Sequence, residues 1–356
     1  MQVLRGLSFS DQAAINLKMK NKSKATLLVH GTLAEGFSEQ PKGLLWQGDI
    51  FTMMVTGKYQ MITTFRGNNV GQNLSNQLMD FISDRKDETI DGYVSLSTPI
   101  TPNLQRNRNY FNRSWMGSSS HLLKTAKGSE FRAQVDYNYD RVSAHGASST
   151  TYFLESGDKI IFENKNSRSR RDAITGKFIY EANEKTYFLN NTLSTDISWN
   201  DLTLNTIGSI PNIQSAQMPE YSVSNLLKII KRFGNNKLVT FASRNEWNSI
   251  PEKLTINRNG NSYGQNIKQH SLYTDERASL GFVFNKVMLS LDAGLSGYFR
   301  KLNTDLFGVD MADMVGAEAL TTDYLRVFVS PKFEWSYQKL ELTLNVPVNV
   351  YSYFFS

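Results

Sequence analysis

The chain has 356 residues, with 39 Lys+Arg against 33 Asp+Glu for a net charge of +6, and no cysteine. Without thiols there are no disulfides and no thiolate metal sites, and a mild, mixed-sign charge gives no sign of a nucleic-acid partner. Apolar side chains never stand more than three in a row; a membrane helix with its roughly 20 apolar residues is excluded, while 21 Phe and 16 Tyr make a β composition that outer-membrane barrels share.

In chain order, Met1-Gln2-Val3-Leu4-Arg5-Gly6 lacks the apolar core of a signal peptide. Strands are expected near 25–34, 46–56 and 59–66, with a tight turn at Gly57-Lys58, then a polar loop over 67–92 and a strand over 111–124. Phe131 to Asp140 alternates cleanly: Phe131, Ala133, Val135, Tyr137 and Tyr139 against Arg132, Gln134, Asp136, Asn138 and Asp140. Strands over 148–163 and 171–182 flank the basic run Ser167-Arg168-Ser169-Arg170-Arg171, which reads as a solvated loop tip or as a contact for anionic lipopolysaccharide or an acidic ligand. After a turn at Asn183-Glu184-Lys185, Tyr187 to Trp199 alternates less regularly. Val223 to Arg232 reads as strand in preference to a basic amphipathic helix, and leads through Gly234-Asn235-Asn236 into a strand over 237–247. A longer polar loop is expected over 248–269, then strands over 270–284, 287–296, 320–337 and 340–348. The C-terminal Tyr351-Ser352-Tyr353-Phe354-Phe355-Ser356 reads as a chain cut in mid-strand.

Successive side chains on a strand face opposite sides, so each alternating segment has one oily and one wet face. A soluble sandwich alternates too. Aromatics at strand ends (Tyr137 and Tyr139, Tyr187 and Trp199, Phe333 to Tyr337) and the absence of a linker over more than 300 residues favour an all-β, antiparallel transmembrane β-barrel of about 12–14 strands. The wet positions are then lumen-facing candidates: Arg132, Gln134, Asp136, Asn138, Asn190, Thr192, Asp196, Ser290 and Asp292.

Catalytic and metal signals are thin. His30, His121, His145 and His270 are scattered, there is no G-x-S-x-G, and the loop carrying Asp310, Asp313 and Glu318 lacks the alternating ligands of a calcium loop. No enzyme and no cofactor is expected. The tryptophans read as lipid-contacting girdle residues before sugar-stacking ones. The alternative function is a soluble β-rich carbohydrate-binding module.

Leu4-Arg5-Gly6-Leu7-Ser8-Phe9-Ser10-Asp11, followed by Ala14-Ile15-Asn16-Leu17-Lys18-Met19-Lys20, resembles the end of the plug in TonB-dependent outer-membrane receptors. The strand Ala25-Thr26-Leu27-Leu28-Val29-His30-Gly31, the Trp-led Trp46-Gln47-Gly48-Asp49-Ile50-Phe51, then Lys58-Tyr59-Gln60-Met61-Ile62 and Asn68-Asn69-Val70-Gly71 are similar to the subgroup with a carboxypeptidase-regulatory-like domain. The resemblance implies a fragment: a plug tail and linker over 1–22 and the N-terminal part of an incomplete barrel over 23–356. It implies TonB-dependent nutrient uptake in a Gram-negative outer membrane. The expected partners are outer-membrane lipid, the TonB system through an N-terminal part that this stretch lacks, and a nutrient ligand.

Overall fold

The computed structural model describes residues 25–39, 42–74, 92–99, 111–126, 128–234, 236–284, 287–308, 319–337 and 340–356. The plug-tail stretch and Asp310, Asp313 and Glu318 lie outside the described residues. Among the described residues every regular element is a strand: β1 (Thr26–Glu39), β2 (Lys42–Val55), β3 (Tyr59–Asn68), β4 (Phe111–Lys124), β5 (Glu130–Tyr152), β6 (Lys159–Asn183), β7 (Tyr187–Gly208), β8 (Asn212–Gln217), β9 (Glu220–Phe233), β10 (Lys237–Arg258), β11 (Asn261–Phe284), β12 (Val287–Phe307), β13 (Ala319–Tyr337), β14 (Leu340–Asn345) and β15 (Val348–Phe355).

All fifteen join one antiparallel sheet in chain order. β8 and β9 pair with both β7 and β10 in a single register, and β14 and β15 do the same against β13. Each couple is one strand interrupted at a proline, Pro219 or Pro347, which has no N–H to give to the ladder. The result is an up-and-down meander with thirteen strand positions, barrel-like, in which β1 and β14/β15 are the two edges among the described residues.

Several boundaries differ from the sequence-based expectation. The strand expected over 148–163 is two strands joined by a connection over 153–158, where Gly157 takes φ 108° and its N–H donates to Leu154 O at 2.9 Å. Ser167 to Arg171 is no loop tip; it lies in the middle of β6. The polar loop expected over 248–269 is a hairpin: β10 runs on to Arg258 and β11 starts at Asn261. Asn259 and Gly260, at φ 50° and 82°, supply the two left-handed residues of a tight two-residue hairpin turn. Strands reach 25 residues in β6, well beyond the ten or so expected.

The two faces are opposite in character to those of a water-soluble sandwich. Directly paired residues share a face, so the ladders trace each face across the whole meander. On the inner face Gln134, Asp136, Asn138, Thr192, Gln269 and Asp275 are buried, Gln134 to 4 % and Asp136 to 8 % exposure. On the outer face Phe131, Val135 and Leu291 are 47 %, 46 % and 48 % exposed. A single-layer sheet buries one face by curling round it, and here the buried face is the wet one. Among the described residues, two apolar clusters pack inside. Phe188, Ile230 and Leu238 with Val283 lie near the short turns. Val94, Ala216 and Ile267 with Leu96, Leu202, Met218, Leu254 and Leu302 lie toward the opposite end.

Candidate functional site

All nine lumen-facing candidates fall on the inner face. The structure brings seven of them together. Register aligns Asp136 of β5, Thr175 of β6 and Asp196 of β7 in one row, so the β5 and β7 candidates form a single patch bridged by β6. Gln134 Nε2 and Thr175 Oγ1 donate to Asp136 Oδ2 at 3.0 and 3.2 Å. Arg132 donates to Glu130 at 3.0 Å, Asn190 Nδ2 to Glu181 at 3.3 Å and Thr192 Oγ1 to Asn190 Oδ1 at 3.4 Å. Ser290 and Asp292 stand apart on β12. Asp292 and its neighbours Lys228, Arg277, Arg326 and Ser330 line a 410 Å³ recess.

Most ion pairs on this face run along single strands, at positions two apart, as in Glu130–Arg132, Glu163–Lys165, Arg244–Glu246, Asp275–Arg277 and Lys332–Glu334, while Lys124 of β4 reaches Glu130 across the ladder to β5 at 2.8 Å. Period-two spacing puts both partners on the same side. The wall thus offers hydrogen-bonding groups and charges of both signs to a polar solute. Among the described residues no three His, Asp or Glu side chains converge to hold a metal ion.

Sequence reasoning missed a strap, residues 92–99, that crosses the inner face. It belongs to the connection between β3 and β4. The successive N–H groups of Tyr93 and Val94 both donate to Glu252 Oε2, at 2.8 and 3.0 Å. Gly92 approaches so closely that a Cβ there would sit 2.3 Å from Glu252 Oε1. The Tyr93 hydroxyl donates to Gln269 Oε1 and accepts from Arg300, whose guanidinium lies 5.7 Å from the ring centre. Val94 enters the apolar cluster around Ile267, and Pro99 lies over Gly146 of β5. The strap therefore braces β5, β8, β10, β11 and β12. Burial pushes the Glu252 carboxyl above its ordinary value, and the two backbone N–H bonds oppose that rise.

A second inner network holds the start of the same connection. Asn68, fully buried, accepts the Val70 and Gln72 N–H groups on Oδ1, each at 3.2 Å. Asn112 Oδ1 accepts the Gly71 N–H at 2.9 Å, and just past the last β2–β3 pair Asn69 accepts the Trp46 N–H at 2.6 Å and donates to Leu44 O at 2.8 Å. The segment Asn68-Asn69-Val70-Gly71 is thus a turn in which amide side chains replace ladder partners.

The outer face carries all five tryptophans, Trp46, Trp115, Trp199, Trp247 and Trp335. Trp115 and Tyr139 are directly paired, and Asp172 and Trp199 continue the same row. Tyr137 donates to Asp172 at 2.8 Å, and Trp199 Nε1 donates to Tyr221 Oη at 3.2 Å. A lower set, Tyr59, Tyr180, Tyr187, Trp335 and Tyr337, borders the short turns. Between the two sets the outer positions are mainly apolar, as in 187–199, 221–233, 272–284, 287–299 and 325–337. Two charges stand at outer positions of these stretches: Lys231, whose ammonium lies 5.0 Å from the Phe233 ring centre, and Glu276, whose Oε1 accepts from Ser243 at 2.7 Å, Asn245 at 2.9 Å and Thr274 at 3.4 Å. Beyond the upper set the outer face turns polar, with Arg141, Asp201, Ser249, Lys268, Lys301 and Asp323.

Trp46 and Trp115 stack 4.6 Å apart at 34° because Gly67 lies beneath them. A Cβ there would stand 2.5 Å from Trp115 and 2.9 Å from Trp46. Gly67→Val is expected to part the indoles and abolish their exciton couplet in circular dichroism, matching Trp46→Phe; an unchanged couplet would refute this packing.

Comparison of the chain with protein-family models and with curated proteins gives no match.

Proposed function

We propose that this chain forms the wall of an outer-membrane receptor barrel, of the TonB-dependent kind, whose inner face meets a nutrient in transit. The observation that carries the reading is the inversion of faces: wet side chains buried inside, apolar ones exposed outside between two sets of aromatics. Lipid is the solvent that accepts such an outer surface, and aromatic rings favour its interfaces. The dimensions agree. From Tyr187 to Trp199, as on β9, β11, β12 and β13, the apolar stretch is thirteen residues long. At about 3.3 Å per residue and a tilt of about 45° that is about 28 Å of height, close to a bilayer's hydrocarbon core. The receptor kind rests on the sequence resemblance over 4–71, and the buried polar wall with its bracing strap supports a passage for polar solute.

The test uses the tryptophans. In phosphatidylcholine bilayers, lipids brominated near the carbonyl end of the acyl chain are expected to quench indole fluorescence more than lipids brominated near the methyl end. This follows because Trp115, Trp199 and Trp335 sit in the two aromatic sets. Fluorescence unmoved by either lipid would overturn the membrane reading.

A further inference from the structure

Three arginines stand in line on the outer face. Arg113 is directly opposite Arg141 in the β4–β5 ladder, and Arg141 is directly opposite Arg170 in the β5–β6 ladder. Directly opposed side chains hold their Cβ atoms about 4.5–5.5 Å apart, a distance at which like charges destabilise a sheet. Arg170 is compensated: its Nε donates to Asp172 at 2.9 Å, and Asp201 faces it from β7. Arg113 and Arg141 face no carboxylate across either ladder, and neither makes an ion pair among the described residues. Arg168, exposed on the same face of β6, adds a fourth cation. The repulsion this row builds calls for an anion from outside the chain.

The position of the row says which anion. Arg113 lies two residues before Trp115 on β4 and Arg141 two residues after Tyr139 on the antiparallel β5, so both fall on the polar side of that aromatic pair. Two residues are about 6.6 Å along a strand, or about 5 Å of depth at a 45° tilt. If the aromatic pair marks the acyl–headgroup boundary, the guanidiniums lie at the depth of lipid phosphates. Arginine's planar fork matches a phosphate two oxygens at a time, and the spacing lets two guanidiniums share one phosphate. We infer that Arg113, Arg141 and Arg170 bind the phosphate groups of an anionic lipid in the leaflet at this end of the sheet; the inference rests on the membrane reading above.

The experiment uses the full chain inserted in phosphatidylcholine vesicles doped with diphosphoryl lipid A, then extracted in mild detergent and assayed for co-purified glycolipid. Wild type should retain it. The combined Arg113→Gln, Arg141→Gln and Arg170→Gln variant should lose about 100-fold in apparent affinity, about fivefold for each cation removed. A control with the same charge change at the opposite end (Lys58→Gln, Lys185→Gln, Lys237→Gln) should retain it as wild type does. Should the triple variant fail to insert, Arg113→Gln and Arg141→Gln alone should each lose about fivefold. Equal retention by wild type and arginine variants overturns the inference, as does equal loss in the lysine control, or complete displacement by excess inorganic phosphate, which would mark a free-phosphate site. Wild type inserted and protected from protease, yet devoid of glycolipid, sinks the arginine site alone. Wild type that never inserts sinks the membrane reading, and the site with it.

Discussion

Leu291→Arg is expected to destabilise the bilayer-inserted protein by roughly 2–4 kcal/mol, the cost of an arginine on the lipid side of a barrel near mid-depth. Leu291 stands near the middle of the apolar stretch 287–299 of β12, directly paired with Leu280 and Pro331, and nearly half its surface is exposed. Ser290→Arg, one residue away on the inner face, meets Asp292 two positions along the same strand and should cost less than about 1 kcal/mol, as surface substitutions away from packing usually do. Guanidinium titration of the protein in phosphatidylcholine vesicles, followed by tryptophan emission, measures both. The pair also decides between solvents. If the outer face met water, Leu291→Arg would remove exposed apolar surface and move stability by no more than about 0.5 kcal/mol, and the large difference between neighbouring substitutions would vanish.

The part of the fold within the apolar band was legible in the sequence for a simple reason. There the outer face is oily and the inner face wet, so every second residue differs in kind, as in Phe131 to Asp140 and Val287 to Ser296. Beyond the band the outer face turns polar, while the inner face mixes polar residues with the apolar cluster around Ile267. Ser249 to Arg258 and Asn261 to His270 thus lose the oily-out, wet-in contrast and look like a loop, although the ladder between them is unbroken. The signal that would have recovered this hairpin is Asn259-Gly260, whose left-handed pair of residues turns a chain in two steps. The same loss of contrast hid Ser167 to Arg171 inside β6. Charge at both faces of a strand looks, in the sequence, like charge at a loop tip. The inner positions of β5, β7 and β12 followed directly from parity. Glu252, Gln269 and Arg300 did not, because their importance comes from a strap that arrives from about 160 to 210 residues away along the chain, and no local pattern announces it.

That strap yields the second large effect. Two successive backbone N–H groups, those of Tyr93 and Val94, depend on one carboxylate oxygen of Glu252. Hydrogen bonds to a charged acceptor contribute about 1.5–3 kcal/mol each, and buried donors left without a partner cost a similar amount. Glu252→Ala should therefore raise amide exchange at Tyr93 and Val94 at least about 100-fold, measured by hydrogen–deuterium exchange and mass spectrometry. The main β10–β11 ladder should keep its protection, since the strap opens locally while the sheet stays paired. Glu252→Gln keeps an acceptor oxygen without the charge and should fall between the two. Gly92→Ala attacks the same contact from the other side, because the new methyl would press on Glu252 Oε1; it should loosen the strap without touching any polar group. If instead Glu252→Ala leaves both amides protected, the packing of Val94 among Ile267, Leu254 and Leu302 holds the strap, and Leu254→Ala becomes the substitution that releases it.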